Sequence, residues 1–167
     1  MDDLRSRSSS DTTLTTRPVV TCRTVQSALE RREHNRVRRQ VFVLEQGLFT
    51  EDDRDEHDDD PATIHVLGFV GASPSGTVRL YPFATTDEPR LWKGDRLAVS
   101  SEHRHAGLGA PLVELAVSLA GAAGGSRMVA WVQLANVPFF RHLGWEAIGA
   151  PESYVGELHQ QMSIGLQ

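Results

Sequence analysis

The sequence predicts an α+β domain in which helices flank a mixed central sheet, and three observations lead there. Apolar runs of strand length recur from residue 19 to the C-terminus. Two longer stretches instead repeat their apolar residues every three or four positions, which is helical spacing. Between them, one strand-like run passes through a glycine turn straight into a helix start. The predicted order is β-α-β-β-β-α-β-α-β-β.

Residues 1 to 17 are rich in Ser, Thr, Arg and Asp with almost no large apolar side chains, so a disordered tail is expected there. The domain is expected over 18 to 167, opening on a strand at Val19-Val20-Thr21-Cys22-Arg23. Ser27 followed by Glu30 has capping-box spacing and starts a helix running towards Glu45. Val37, Val41 and Leu44 are its expected buried stripe. Residues 50 to 60, TEDDRDEHDDD, read as an acidic, solvated loop. Strands follow over Ile64 to Val70 and Gly76 to Phe83, joined by a turn at Ala72-Ser73-Pro74-Ser75, and another covers Asp95 to Val99. Leu108, Leu112, Leu115 and Leu119 mark one face of the next helix. Pro111 fits only its first turn, which places the helix start near Gly107 to Gly109. Met128 to Val132 reads as a buried strand, Pro138 to His142 as a short helix, and the tail from Trp145 as a strand pair.

A chain of 167 residues with 40% apolar content has enough material for one core. A net charge of -5 argues against nucleic acid as the main partner, because phosphate binding needs a basic face. The single cysteine, Cys22, has no internal disulfide partner and reads as a core residue. No apolar run reaches the length of a membrane span, and the N-terminus lacks a signal-peptide core. The expected setting is the cytoplasm, without membrane attachment.

Residues 97 to 110, LAVSSEHRHAGLGA, carry the most chemistry. The first N–H groups of a helix have no internal partner, so a strand, a glycine turn and a helix start together form an anion site. Glycines at 107 and 109 let a phosphate approach the backbone closely. A dinucleotide fingerprint would need a third glycine where Leu112 stands, and a Walker loop would need a Gly-Lys-Ser or Gly-Lys-Thr ending. Neither is present. A glycine turn before a helix is most often only a turn, so the reading rests on what accompanies it.

Arg104-His105-Ala106-Gly107-Leu108-Gly109 resembles the R-x-x-G-x-G pyrophosphate motif of the GCN5-related N-acetyltransferases, and the element order resembles their fold across residues 19 to 166. Asn136 followed by Phe139-Phe140-Arg141-His142-Leu143-Gly144-Trp145 resembles that family's helix after the fifth strand. Val41-Phe42-Val43-Leu44-Glu45-Gln46, His65, Gly76-Thr77-Val78-Arg79-Leu80 and Gly156-Glu157-Leu158-His159 resemble a V-F-x-x-E-Q subgroup. Within it, FTEDDRD and Trp92 to Val99 look most like a bacterial branch linked to nitrogen-starvation gene clusters.

The resemblance implies acetyl-CoA as acyl donor and the amine of a small molecule, amino acid or peptide as acceptor. Leu97, Ala98 and Val99 would form the fourth strand, which splays from the fifth to admit pantetheine and offers a backbone N–H to the developing oxyanion. Arg104, His105, Ala106, Gly107, Leu108, Gly109 and Ala110 would hold the pyrophosphate, with Asn136 as a further cofactor contact. Phe140 occupies the position of the family's usual tyrosine acid and cannot donate a proton, so solvent or Tyr154 would do so. Glu45 and His65 are the candidate bases. Arg79 is a candidate for binding an acidic group of the substrate, against a structural ion pair. No metal site is expected, since Asp53, Asp55 and Asp59 do not fit a calcium loop. A homodimer is left open. Two alternatives stand beside the transferase: a non-catalytic acetyl-CoA sensor, supported by Phe140, and an acyl-homoserine-lactone-synthase-like protein, supported by Arg96 ahead of the fourth-strand apolar residues.

Overall fold

The computed structural model describes residues 16–167. Apart from Thr16 and Arg17, the tail expected over 1 to 17 lies outside the described residues. The chain forms β1 (Val20–Thr24), α1 (Ala28–Arg38), β2 (Ile64–Val70), β3 (Ser73–Pro82), β4 (Leu91–Val99), α2 (Gly109–Ala122), β5 (Arg127–Gln133), α3 (Val137–His142), β6 (Glu146–Tyr154) and β7 (Glu157–Gly165). The strands make one sheet in the order β1-β2-β3-β4-β5-β7-β6. Every pairing is antiparallel except β4 with β5, which is parallel.

Ser27 caps α1 as expected. Its hydroxyl accepts from the Glu30 amide at 3.1 Å, while the Glu30 carboxylate accepts from the Gln26 amide at 2.8 Å. Helical winding then loosens into a π-helix over Arg39–Glu45. Extra residues per turn rotate the buried face, so Val37, Val41, Phe42 and Val43 are buried and Leu44, expected inside, is exposed. The β2–β3 turn is tighter than expected, with Gly71 at φ +59 and Ser73 already in β3.

Alternation along the strands assigns the two faces of the sheet. Val66, Val78, Leu80, Trp92 and Met128 pack with Leu112, Val113 and Ala116 of α2 in the main core. Residues one step out of phase, such as His65 and Arg79, lie on the face covered by α1, whose His34 ring sits 5.1 Å from that of His65.

The acidic segment departs most from expectation. Asp53 and Asp58 are buried rather than solvated. They form the centre of an ionic cluster under α1, around a short turn of helix at Glu56–Asp58. Arg38 donates to Asp53 at 2.7 Å and to Asp58 at 2.6 Å. Arg79 donates to Asp55 at 2.6 Å, Asp58 at 3.0 Å and Asp95 at 2.7 Å. Arg96 closes the cluster on Asp53 at 2.9 Å and Asp55 at 3.3 Å. Burying charges is costly unless they are paired and hydrogen-bonded, and each of these is. Burial pushes the Asp58 carboxyl upwards, but hydrogen bonds from Arg38 and the Asp55 amide outweigh it and hold the group well below the usual carboxylate range.

Candidate active site

Strand β4 pairs with β5 only at Leu91↔Arg127, Trp92↔Met128 and Lys93↔Val129. Beyond that point the two strands separate. A bulge helps to turn β4 away: Thr77 and Arg79, two apart on β3, face Ala98 and Asp95, three apart on β4. The extra residue falls at Arg96-Leu97, and Arg96 takes φ +54, unusual for a side-chain-bearing residue. The Arg96 carbonyl accepts from the Thr77 hydroxyl at 2.8 Å, and its guanidinium is pinned by Asp53 and Asp55, so the surroundings hold the strained backbone in place.

The gap between the strands is a cleft of about 930 Å³, open to solvent. Gly94, Asp95, Arg96 and Leu97 form one wall, and Ala130, Trp131, Val132 and Gln133 the other. The cleft passes through the sheet. On one side it meets Val113 and Ala116 of α2 and Phe140 of α3; on the other it meets Phe42, Leu48 and Phe49 after α1, and Tyr154, Val155 and His159 of the β6–β7 hairpin.

Helix α2, which lines the cleft, begins at the glycine turn. Gly107 has φ +80, and a Cβ there would meet nothing within 4 Å, so the turn faces open space. Leu108 is buried and drives the helix start onto the sheet. Glycines make that approach possible: a Cβ on Gly76 would stand 2.7 Å from Leu108 and 2.8 Å from Leu112. The Ala106 amide is used by the His103 carbonyl at 3.0 Å, which removes it from the expected anion donors. Gly107, Leu108, Gly109 and Ala110 keep N–H groups at or next to the helix start, and Pro111 has none.

The other expected site residues divide. Leu97 lies in the bulge and the cleft wall, while Ala98 and Val99 pair back onto β3 at Thr77 and Gly76. Asn136 and Phe140 line the cleft. Arg104 bonds the Val99 carbonyl at 3.2 Å and pairs with Glu45 at 2.5 Å. Glu45 therefore pairs with the segment leading into the glycine turn and is not among the residues lining the cleft. His65 is also outside the cleft. Burial, then the charge of Arg31, lowers it to about 4, and its Nδ1 is buried without a partner, so it packs under α1 as a neutral ring. Arg79 is fully buried and spent on three carboxylates, which leaves no donor for a substrate. Its structural reading, the ion pair, is the one the geometry supports.

One cleft residue went unassigned from sequence. His159, on β7 opposite Gln133 of β5, is 5% exposed and lines the cleft. Its Nδ1 lies 3.0 Å from the Glu157 carbonyl. The available signal was its inward phase in the last strand, beside Gln133 and Trp131.

A seven-stranded mixed sheet, split between β4 and β5 beside a glycine turn that opens a helix, defines the acyl-CoA N-acyltransferase fold. The chain matches the acetyltransferase (GNAT) family model over residues 29–145, and it belongs to that family. It is 28% identical over 127 residues to "Uncharacterized N-acetyltransferase YjcF" of Bacillus subtilis (strain 168), covering 75% of this chain and 86% of that protein. In structure it is similar to an acyl-CoA N-acyltransferase from Pseudomonas aeruginosa, with TM-score 0.72, 22% identity, and coverage of 87% of this chain and 98% of that one. It is also similar to BjaI, a CoA-dependent acyl-homoserine lactone synthase, with TM-score 0.66, 20% identity, and coverage of 81% and 75%. Among the described residues, no helix is long and apolar enough to cross a membrane.

Proposed function

We propose that the protein transfers an acetyl group from acetyl-CoA to the amine of a small molecule, amino acid or peptide. The observation that carries this reading is the cleft through the sheet between separated β4 and β5, flanked by a helix that starts at an open glycine turn. The residues present suit a CoA thioester. N–H groups of Gly107 to Ala110 would hold the pyrophosphate, with no side chain in the way at Gly107. The apolar walls at Val113, Ala116 and Phe140 suit the pantetheine arm, and Asn136, which also lines the cleft, would add a polar contact. Bound there, acetyl-CoA supplies a thioester carbon open to attack by an amine.

The chain's own groups then have three tasks. Backbone N–H groups in the bulged part of β4 would polarise the thioester carbonyl; preorganised donors of this kind are worth about 3 kcal/mol in other enzymes. The ionic cluster holds that bulge rigid through Arg96. Phe140 cannot protonate the departing sulfur, so Tyr154, which lines the same cleft, or solvent would do so. The test is thiol release from acetyl-CoA across an amine panel, with the amide product weighed by mass spectrometry. Amine-dependent release with amide formation is expected. Binding without release would favour the sensor reading. Release only with a longer acyl donor and a homoserine-type acceptor would favour the lactone-synthase reading.

A further inference from the structure

We infer that His159 is the general base that deprotonates the acceptor amine, an assignment that rests on the N-acyltransfer reading above. A carbonyl oxygen only accepts, so the ring nitrogen 3.0 Å from the Glu157 carbonyl, Nδ1, must carry the hydrogen. In the neutral ring the proton is then on Nδ1 and the lone pair is on Nε2. Nε2 has no hydrogen-bond partner, yet it is not among the sealed, unpartnered polar atoms of the interior. His159 lines the cleft, so its free lone pair faces the cleft space.

The ring is also held. Tyr154 packs edge-on against it at 5.2 Å, and Gln133 of β5 stands opposite it across the strand pair. Gln133 donates to the Gln46 side-chain oxygen at 3.0 Å, joining this wall to the segment after α1. The two histidines under α1 differ in kind. His34 and His65 each bury a ring nitrogen without a partner and lie outside the cleft, whereas His159 combines a fixed tautomer with an open nitrogen.

The step balances without further reactants. The amine nitrogen bonds to the acyl carbon, the carbon–sulfur bond breaks, and the sulfur leaves with the electron pair. The amine proton passes to His159 Nε2 and on to solvent, while Tyr154 or water protonates the thiolate. Charged and titratable groups facing His159 are Tyr154 and Glu152 of β6, Glu157 at the start of its own strand, Asp95 and Arg96 of β4 across the cleft, and Lys93 of β4 behind Tyr154.

The experiment compares wild type with His159→Gln, His159→Phe and His159→Ala, using acetyl-CoA and the best amine from the panel. His159→Phe keeps the ring packing against Tyr154 but removes the base, which guards against a folding artefact. Expected results are a fall in kcat/KM of about 100-fold or more in all three variants, unchanged acetyl-CoA affinity by calorimetry, and loss of the acid limb of the kcat/KM profile. Added imidazole should restore part of the rate in His159→Ala. Nitrogen-15 NMR of the wild-type protein should show the Nδ1–H tautomer. An Nε2–H tautomer, or variants that keep near-normal rates with the same acid limb, would overturn the assignment alone. Absence of amine-dependent thiol release by the wild-type protein would overturn the N-acyltransfer reading, and this assignment with it.

Discussion

Replacing Arg79 with Met removes the guanidinium at the centre of the ionic cluster and leaves a side chain of similar length. Three carboxylates lose a donor. Asp58 keeps Arg38, and Asp55 keeps Arg96. Asp95 is left with the Tyr81 hydroxyl at 3.3 Å and a distant Arg96 at 3.7 Å. Breaking a buried pair by removing one partner costs about 3–5 kcal/mol, because the remaining charge stays buried. Partial exposure of Asp55 and Asp95 favours the lower end. For a chain of this length, each kcal/mol lowers Tm by roughly 2–4 °C, so Arg79→Met should melt about 6–20 °C below wild type. Urea unfolding should show a lower midpoint with an unchanged slope. The pH dependence has a definite sign. Asp55 and Asp58 have folded pKa values below their unfolded ones, so the stability they add is present at neutral pH. It is lost as pH falls below about 4 and through the lowered values, and the gap between wild type and variant should narrow there. A Tm within 2 °C or so of wild type, together with a raised KM for the acceptor, would refute this reasoning and return Arg79 to substrate binding.

Other outcomes follow from the same geometry. Gly76→Val places atoms where Leu108 and Leu112 already stand; overpacking should cost about 1–3 kcal/mol and weaken acetyl-CoA binding by lifting the turn, both measurable by melting and calorimetry. His34 is held well below the ordinary histidine value by burial and by the charge of Arg38, and His65 is lowered to about 4 by burial and by the charge of Arg31. The unfolded chain therefore takes up protons that the folded chain refuses, so stability should decline as pH falls from about 6.5 towards 4; urea midpoints in His65→Gln should lose part of that slope. If Tyr154 protonates the departing thiolate, Tyr154→Phe should lower kcat about 100-fold and adding Phe140→Tyr should recover part of it; an unchanged kcat in the single variant would make water the acid.

Element order was legible because apolar runs of strand length survive in the sequence at β2, β3 and β5, and helical spacing at α2. The glycine turn was legible for the same local reason: strand, glycines and a first-turn proline are contiguous. Leu44 was misplaced because π winding changes the period in mid-helix, which an α pattern cannot register. Asp53, Asp55 and Asp58 read as a solvated run because their partners, Arg38, Arg79 and Arg96, come from three distant elements. Arg79 and His65 were correctly placed on a strand, but only the packing of α1 shows that their face is sealed. The cleft itself depends on where the β4–β5 ladder stops, and the bulge that helps to turn β4 away needs Arg96 at a positive φ, which no residue type announces. His159 was invisible as a base because its tautomer is set by a carbonyl two residues away in the folded hairpin.

Acetyl-CoA binding at the glycine turn is tested by calorimetric titration into the wild-type protein and into the double variant Gly107→Glu, Gly109→Glu. Neither substitution meets backbone: Gly107 faces open space, and a Cβ on Gly109 stands 3.4 Å from the Phe139 ring. A glutamate at the first helical position suits the helix dipole, while the positive φ at Gly107 costs of order 1–3 kcal/mol, so circular dichroism should still report a folded domain. Wild type should bind acetyl-CoA saturably, and the variant should lose that binding because two carboxylates oppose the pyrophosphate. Wild type that binds no acetyl-CoA, or a folded variant that binds it equally well, would remove the glycine turn as the cofactor site.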